Sequence, residues 1–100
     1  MNKAANMLGL CMRAGRLVSG AQSAEAAVRA GKAYLVLVDA GASEETKKSF
    51  SDACRFRGIP MAQMENESLG FAIGRPGRMV AAVTDEPFAN RIRQLLEEGI

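Results

Sequence analysis

The stretch "AYLVLVDAG", residues 33–41, decides the fold class of this chain. The run is continuously apolar, carries β-branched valines and closes at Asp39 and Gly41. Continuous rather than alternating hydrophobicity indicates a strand that is buried on both faces of a sheet. Because helices must then cover both faces, the stretch predicts a layered α/β domain.

Helical and extended patterns alternate along the rest of the sequence. Their order predicts one helix followed by four strand–helix units, in a single domain of 100 residues whose central strands are parallel or mixed. The predicted elements are a helix over 2–14, a strand over 17–19, a helix over 21–30, the strand over 33–41, a helix from Ser43 to Gly58, a strand over 61–64, a helix over 67–73, a strand over 79–83 and a last helix after Thr84 or Asp85.

The composition excludes several classes of function. The sequence has no histidine and only two cysteines, Cys11 and Cys54, both in helical, apolar contexts. A structural zinc site, histidine-based catalysis and an activated cysteine are therefore not expected, and two reduced core cysteines fit the cytoplasm. The longest apolar run is too short to span a bilayer, and Asn6 and Arg13 interrupt a secretory signal pattern. We predict a cytoplasmic, non-enzymatic protein with no metal, no cofactor and no membrane association.

Charge is distributed unevenly along the chain. The formal net charge is +2, yet residues 1–38 hold five basic residues against one acidic residue, whereas residues 39–100 hold eight against ten. A basic half on a nearly neutral protein is typical of a localised anion-binding face. Solvated helix faces would give the same counts, so both interpretations stay open.

Asp39 ends the buried strand, at the position where open α/β sheets often bind ligands. A phosphoacceptor aspartate would need further carboxylates on a neighbouring strand end to hold Mg²⁺, and residues 17–20 offer none. We therefore favour an Asx-type turn, or a cap on the helix that follows Ser43.

The stretch "VSGAQSAE", residues 18–25, begins the second predicted helix with a glycine and two uncharged polar residues. The free N–H groups of a helix start favour an anion, and Gly20 allows close backbone approach. Gln22 and Ser23 can hydrogen-bond base edges or sugars. Alternatively, Ser19 and Gln22 form a capping box. The residues by themselves favour neither interpretation.

Four arginines accompany this helix start or a turn that precedes a buried strand. Arg13 and Arg16 come just before the second helix, and Arg75 and Arg78 flank the Pro-Gly turn of "GRPGR", residues 74–78. Arginine side chains contact phosphates readily, so these residues are candidates for an RNA-binding surface.

Five segments cover most of the chain: "LGLCMRAGRLVSG" (8–20), "AVRAGKAYLVLVDAGASEETKKSF" (27–50), "GIP" (58–60), "LGFAIGR" (69–75) and "MVAAVTDEPFA" (79–89). Together they resemble the kink-turn RNA-binding ribosomal protein family, which includes archaeal L-seven-Ae and eukaryotic L-thirty-e types, and within it the bacterial YlxQ-like branch. The resemblance implies a three-layer α/β/α sandwich around a small four-stranded mixed sheet. It also implies an RNA face made from the second helix start, the loop after Asp39 and the loop from Arg75 to Arg78.

The sequence departs from this family at the second helix. The family signature there is a glycine, one further residue, Asn-Glu and, three residues after the Glu, a lysine. Aligned on Gly20, this sequence has Gln22, Ser23 and Ala26 at those positions. Gln22 keeps an amide, but Ser23 does not supply the carboxylate and Ala26 does not supply the cation.

We therefore predict a monomeric protein that binds structured RNA of the kink-turn or a related class, ribosomal RNA included, and that has ribosomal or translation-related protein partners. The alternative is a protein-interaction adaptor on the same fold, in which RNA binding is weakened or lost. Two residues of the predicted site, Asp39 and Gly41, would shape a loop rather than bind phosphate. The full predicted RNA-binding set is Arg13, Arg16, Gly20, Gln22, Ser23, Asp39, Gly41, Arg75 and Arg78.

Overall fold

One helix comes first, and strands and helices then alternate four times, as the sequence predicts. The computed structural model describes residues 3–98; Asn2 of the first predicted helix lies outside them. The observed elements are α1 (Lys3–Arg13), β1 (Leu17–Ser19), α2 (Ala21–Arg29), β2 (Leu35–Asp39), α3 (Glu44–Arg57), β3 (Met61–Met64), α4 (Ser68–Ile73), β4 (Val80–Val83) and α5 (Glu86–Glu98).

The four strands form one mixed sheet in the order β1-β4-β2-β3. β2 and β3 are parallel, because α3 carries the chain back across the sheet between them. β4 runs antiparallel to both β1 and β2. The predicted four-stranded mixed sheet is therefore confirmed, with an antiparallel pair at its centre.

β2 explains why two helical layers are needed. All five of its residues are buried, and successive side chains point to opposite faces of the sheet. Leu35 and Leu37 join a core cluster with residues of α1, α4 and α5. Val36 and Val38 join a second cluster with residues of α2 and α3. The three-layer α/β/α sandwich is thus confirmed.

Most helix ends follow the sequence signals. The Ser43 hydroxyl accepts a hydrogen bond from the Thr46 N–H at 3.1 Å, and Gly58 ends α3 in the left-handed conformation. Asp85 caps α5, since its carboxylate accepts from the Phe88 N–H at 3.0 Å. The described helices include none that is long and apolar enough to cross a membrane.

The capping-box interpretation of the second helix is wrong. Ser19 is the last residue of β1, where it lies opposite Ala81 of β4, and sheet pairing takes it out of reach of a cap position. The N-cap of α2 is Gly20, and among residues 3–98 no side-chain cap accepts a hydrogen bond from the first turn.

Strand direction divides the loops between the two ends of the strands, which we treat as two opposite edges of the sheet. Because β4 is antiparallel to its neighbours, the start of β4 and the ends of β1, β2 and β3 lie at the same edge. We call this end of the sheet the loop edge, and it comprises the segment from Gly20 to Ser23, the strand end Asp39 and the loops 40–43, 65–67 and 74–79. The opposite edge comprises the loops 14–16, 30–34, 58–60 and 84–85.

Candidate nucleic-acid interface

The loop edge brings together seven of the nine residues that the sequence predicts for RNA binding. They come from three separate segments of the chain, which meet because β1 and β2 end and β4 begins at this edge. These seven residues are Gly20, Gln22, Ser23, Asp39, Gly41, Arg75 and Arg78.

Arg78 lies close to the backbone at Gly20. The Gly20 N–H donates to the Val80 carbonyl at 2.8 Å, which ties the start of α2 to the start of β4. The Arg78 guanidinium donates to the Ser19 carbonyl at 3.2 Å. A Cβ atom on Gly20, whose φ is +97°, would lie 2.5 Å from Arg78 Nη1. The positive φ favours glycine at this position, and a larger residue would displace the arginine from the helix start.

The first turn of α2 presents backbone donors to solvent. The first N–H groups of any helix lack partners within the helix, and Gly20 has no side chain to cap them. Ala21, Gln22 and Ser23 are exposed. The positive end of the helix dipole and the Arg78 guanidinium therefore act on the same volume, and both favour an anion there.

Asp39 organises the loop edge from beneath. The side chain is fully buried. One carboxylate oxygen accepts from the N–H groups of Gly41 at 2.8 Å and Glu67 at 2.9 Å, and the other accepts from the Leu69 N–H at 3.1 Å. The bond to Gly41 is the Asx-type turn that the sequence predicts. Because both oxygens are occupied and shielded from solvent, a phosphoacceptor role is excluded.

The charge state of Asp39 follows from these contacts. Burial by itself would raise the pKa of the carboxyl, but the three backbone hydrogen bonds favour the ionised form more strongly. The positive charge of Lys47 acts in the same direction. The pKa of Asp39 is consequently held below its usual range, and the buried carboxylate stays charged at neutral pH.

Asn66 and Glu67 also belong to the loop edge, although they are not among the residues predicted from the sequence. A Cβ atom on Gly41 would lie 2.5 Å from the Asn66 side-chain oxygen, so the two loops touch. Glu67 has a φ of +65°, which lets its N–H point at Asp39. The sequence placed Glu67 inside α4; the exposed pair Asn66-Glu67 after β3 is a turn signal that could have located this loop.

The arginine loop is held against α4. The Arg75 N–H donates to the Gly70 carbonyl at 2.8 Å, and a Cβ atom on Gly70 would lie 2.7 Å from the Arg75 carbonyl oxygen. The Arg78 N–H closes the turn by donating to the Arg75 carbonyl at 3.2 Å. Arg75 itself is exposed and has no side-chain hydrogen bond or salt bridge within residues 3–98, so its guanidinium is open to solvent beside the anchored one of Arg78.

Arg13 and Arg16 do not lie at the loop edge, which corrects the expectation that they join this surface. The Arg16 carbonyl accepts from the Thr84 N–H at 2.9 Å, and its guanidinium Nε lies 3.8 Å from the Asp85 carboxylate. Gly20 comes four positions later, beyond the extended strand β1, about 13 Å from Arg16. Arg13 lies at the end of α1, in a hollow that Phe71 of α4 also lines.

The two cysteines are core residues, as predicted. Both are buried and free. Burial, with a smaller contribution from the negative charge of Asp85, raises the pKa of the Cys11 thiol to about 11. Burial also raises the pKa of Cys54. Within residues 3–98, no cluster of three or more histidine, cysteine or acidic side chains could hold a metal ion.

Comparison with proteins of known sequence identifies two similar bacterial relatives. The chain is 39% identical over 92 residues to the RNA-binding protein YlxQ of Bacillus subtilis, covering 91% of this chain and 92% of the relative. It is 38% identical over 96 residues to the RNA-binding protein YlxQ of Enterococcus faecium, covering 95% of this chain and 92% of that protein.

Solved structures share the fold over nearly the whole length. A Bacillus halodurans protein of unknown function is 34% identical with a TM-score of 0.93, and the match covers 97% of this chain and 99% of that one. The Giardia lamblia 15.5kD RNA binding protein has a TM-score of 0.78 at 24% identity, over 94% and 82% of the two chains. At that identity the second likeness speaks for the fold alone.

A family model covers most of the sequence and agrees with both kinds of relative. It matches residues 2–92. The chain belongs to the ribosomal protein L7Ae/L30e/S12e/Gadd45 family, in a YlxQ-like branch.

Proposed function

We propose that this protein is a non-enzymatic RNA-binding protein that holds structured RNA, of the kink-turn or a related class, at the loop edge. The observation that carries the proposal is the uncapped start of α2 lying against the Arg78 guanidinium. The two YlxQ relatives are named as RNA-binding proteins, which supports the same class of ligand.

Backbone phosphate is the ligand of the helix start. The free N–H groups of Ala21 to Ser23 donate to phosphate oxygens, and Arg78 adds a positive charge that is already fixed in position. Arg75 is exposed and reaches a neighbouring phosphate from the same loop. These contacts position the RNA without reading its sequence.

Exposed polar side chains around the helix start read the bases. The Gln22 amide both donates and accepts, so it can pair with a base edge, and the Ser23 hydroxyl can bond a base or a 2′-hydroxyl. Ser23 lacks the carboxylate found in the family signature, which would accept from a guanine edge. With serine in place of a carboxylate side chain, this protein therefore discriminates less strongly in favour of tandem sheared G·A pairs.

The loops beside the helix start are pre-organised. Asp39 holds the backbone at Gly41, Glu67 and Leu69 in one arrangement before RNA arrives. Less ordering entropy is then lost on binding. Asn66 lies exposed beside Gly41 and adds an amide to the same surface.

The proposal extends to the cellular location, oligomeric state and partners of the protein. The protein acts as a cytoplasmic monomer, with ribosomal RNA among its structured targets and with translation-related proteins as partners. Two reduced core cysteines and the ribosomal-protein family support this setting. The proposed binding uses neither a metal nor a cofactor, since backbone donors, arginines and uncharged polar side chains supply its contacts.

A titration tests the proposal. Fluorescence anisotropy compares a kink-turn RNA with a variant that lacks its sheared G·A pairs, at low and at physiological salt. We expect salt-sensitive binding that favours the kink-turn RNA and that weakens about tenfold in Arg78→Gln, because one fixed charge-assisted contact to phosphate is lost. Arg91→Gln on α5 is the matched control, since its guanidinium bonds only to Gln94 among the described residues.

Two results would oppose this function. Equal affinity for the two RNAs would remove the kink-turn class and leave RNA binding without that preference. No salt-sensitive binding to either RNA would refute RNA binding at the loop edge altogether.

A further inference from the structure

A second surface with the chemistry of a nucleic-acid site lies away from the loop edge, at the ends of α2 and α3. Phe56 is 87% exposed, the largest exposure among the large apolar side chains of residues 3–98. It lines a cleft of about 820 Å³ between α2 and α3, together with Arg29 and Arg57. Arg57 also lines an adjoining hollow of about 520 Å³ with Tyr34 and Arg93. We call these five residues the Phe56 surface.

The arginines of this surface are available to a ligand. Within the described part of the chain, none of Arg29, Arg57 and Arg93 forms a salt bridge or a side-chain hydrogen bond. The nearby acidic side chains that line the cleft or hollow are Glu25, Glu45, Asp52 and Glu86. Asp52 is already paired with Lys48 at 2.9 Å.

Helix dipoles explain the position of two of these arginines but not the exposed aromatic side chains beside them. Arg29 and Arg57 occupy the last turns of α2 and α3, where a positive charge stabilises a helix end. That effect gives no reason for Phe56 and Tyr34 to be exposed beside them. Exposed aromatic rings between unpaired arginines are the arrangement with which proteins bind unpaired nucleic acid, by stacking bases and contacting phosphates.

The cleft also connects the two edges of the molecule. Its lining includes Gln22 and Thr46 near the loop edge and Arg29 and Arg57 at the far end. From Ala21 to Arg29 the rise of α2 is about 12 Å, a length that an extended single strand covers with a few nucleotides. A strand that leaves the loop edge therefore has an open path to Phe56.

We propose that the Phe56 surface binds an unpaired RNA segment, with a base stacked on Phe56 and phosphates held by Arg29 and Arg57. This contact is separate from the loop-edge site of the proposed function. It lets the protein hold a single strand that flanks a structured RNA, or a single strand alone.

The test uses fluorescein-labelled octauridylate, which forms no stable structure, with the full chain in fluorescence anisotropy. We expect Phe56→Ser to weaken binding about 5- to 20-fold, through the loss of one stacked base. We expect Arg57→Gln to weaken binding and to reduce the slope of log affinity against log salt by about 0.7, the value for one phosphate contact on a single strand. Both side chains are exposed, so circular dichroism should show an unchanged fold.

Two controls separate this surface from the loop edge. Arg91→Gln removes the same charge elsewhere and should leave octauridylate affinity within twofold of the wild type. Arg75→Gln removes an exposed arginine from the loop edge and should weaken octauridylate binding less than Phe56→Ser does. A kink-turn RNA with and without an eight-nucleotide tail shows whether the tail adds affinity that Phe56→Ser abolishes. If only the kink-turn RNA fails to bind, the result counts against the proposed function and does not affect the conclusion drawn from octauridylate binding.

The proposal is overturned if Phe56→Ser and the wild type bind octauridylate equally. It is also overturned if Arg75→Gln weakens octauridylate binding as much as Phe56→Ser does. Amide chemical-shift mapping on the unmodified protein decides the same point without any variant. Octauridylate should change the amide chemical shifts of residues 29–34 and 55–58. Shifts confined to Gly20–Ala24 and the loops 40–42 and 75–78 would place the strand at the loop edge instead.

Discussion

Replacing Asp39 by asparagine tests the organisation of the loop edge. The carboxylate is fully buried and accepts hydrogen bonds from three backbone N–H groups, of Gly41, Glu67 and Leu69. Asparagine has nearly the same shape, and its single oxygen can still accept from Gly41 and Glu67. Its NH₂ group then faces the Leu69 N–H, so one buried donor loses its acceptor and the other two bonds lose their charge assistance.

The expected cost follows from these contacts. Losing one charge-assisted hydrogen bond and leaving a buried N–H unpaired lowers the free energy of unfolding by about 3 kcal/mol. That is a large share of the total for a domain of this size, about 5–15 kcal/mol. Urea unfolding followed by circular dichroism measures the difference. Asp52→Asn is the control, because Asp52 pairs with Lys48 on an exposed face, where losing one ion pair changes stability little.

The same variant has a defined dependence on pH. Hydrogen bonds hold the folded-state pKa of Asp39 below its usual range despite burial. The stabilisation by the carboxylate is therefore present above the unfolded-state pKa, about 3.9, and is lost as pH falls through the folded-state value. The stability gap between wild type and Asp39→Asn should narrow in that acidic window. A gap under about 1 kcal/mol at neutral pH, or a gap of constant size at acid pH, would refute this account of Asp39.

Three further substitutions or reactions test other features. Gly20→Ala should cost about 1–2 kcal/mol of stability in urea unfolding, because φ at Gly20 is +97° and the new methyl displaces Arg78; wild-type stability would contradict the close contact. Leu37→Ala should cost about 2–5 kcal/mol by the same assay, since Leu37 is completely buried in the central strand; a loss under about 1 kcal/mol would mean that the core closes over the cavity. Cys11 has a pKa raised to about 11, so iodoacetamide should label it at neutral pH in urea but not in native protein; mass spectrometry detects the label, and rapid native labelling would contradict the burial.

The fold was largely predictable from local patterns. The continuous apolar run over residues 33–41 predicted a strand buried on both faces, and β2 is one, over Leu35–Asp39. Ser43 and Gly58 marked the ends of α3 because capping depends on a few neighbouring residues. The Ser19 cap failed for the opposite reason, since pairing with the distant strand β4 holds Ser19 in the sheet.

The sequence named seven residues that lie at the loop edge, but it did not show which of the nine predicted residues would share one surface. Arg16 lies closer to Gly20 along the chain than Arg78 does, yet Arg78 contacts the Gly20 region and Arg16 lies at the opposite edge. Strand direction decides this, and spacing along the sequence does not report it. The loop 65–67 was missed because its link to Asp39 spans 28 residues.

By itself the sequence determined the layered α/β class, the central buried strand, the core cysteines and the family, because hydrophobic period, capping and composition act locally. Only the tertiary structure decided which charges share an edge. It put Arg78 against the start of α2, enclosed Asp39 beneath three loops and left Phe56 exposed between arginines. The physical reason is that strand order and direction depend on contacts between distant segments. These contacts bring residues from separate segments together on one surface.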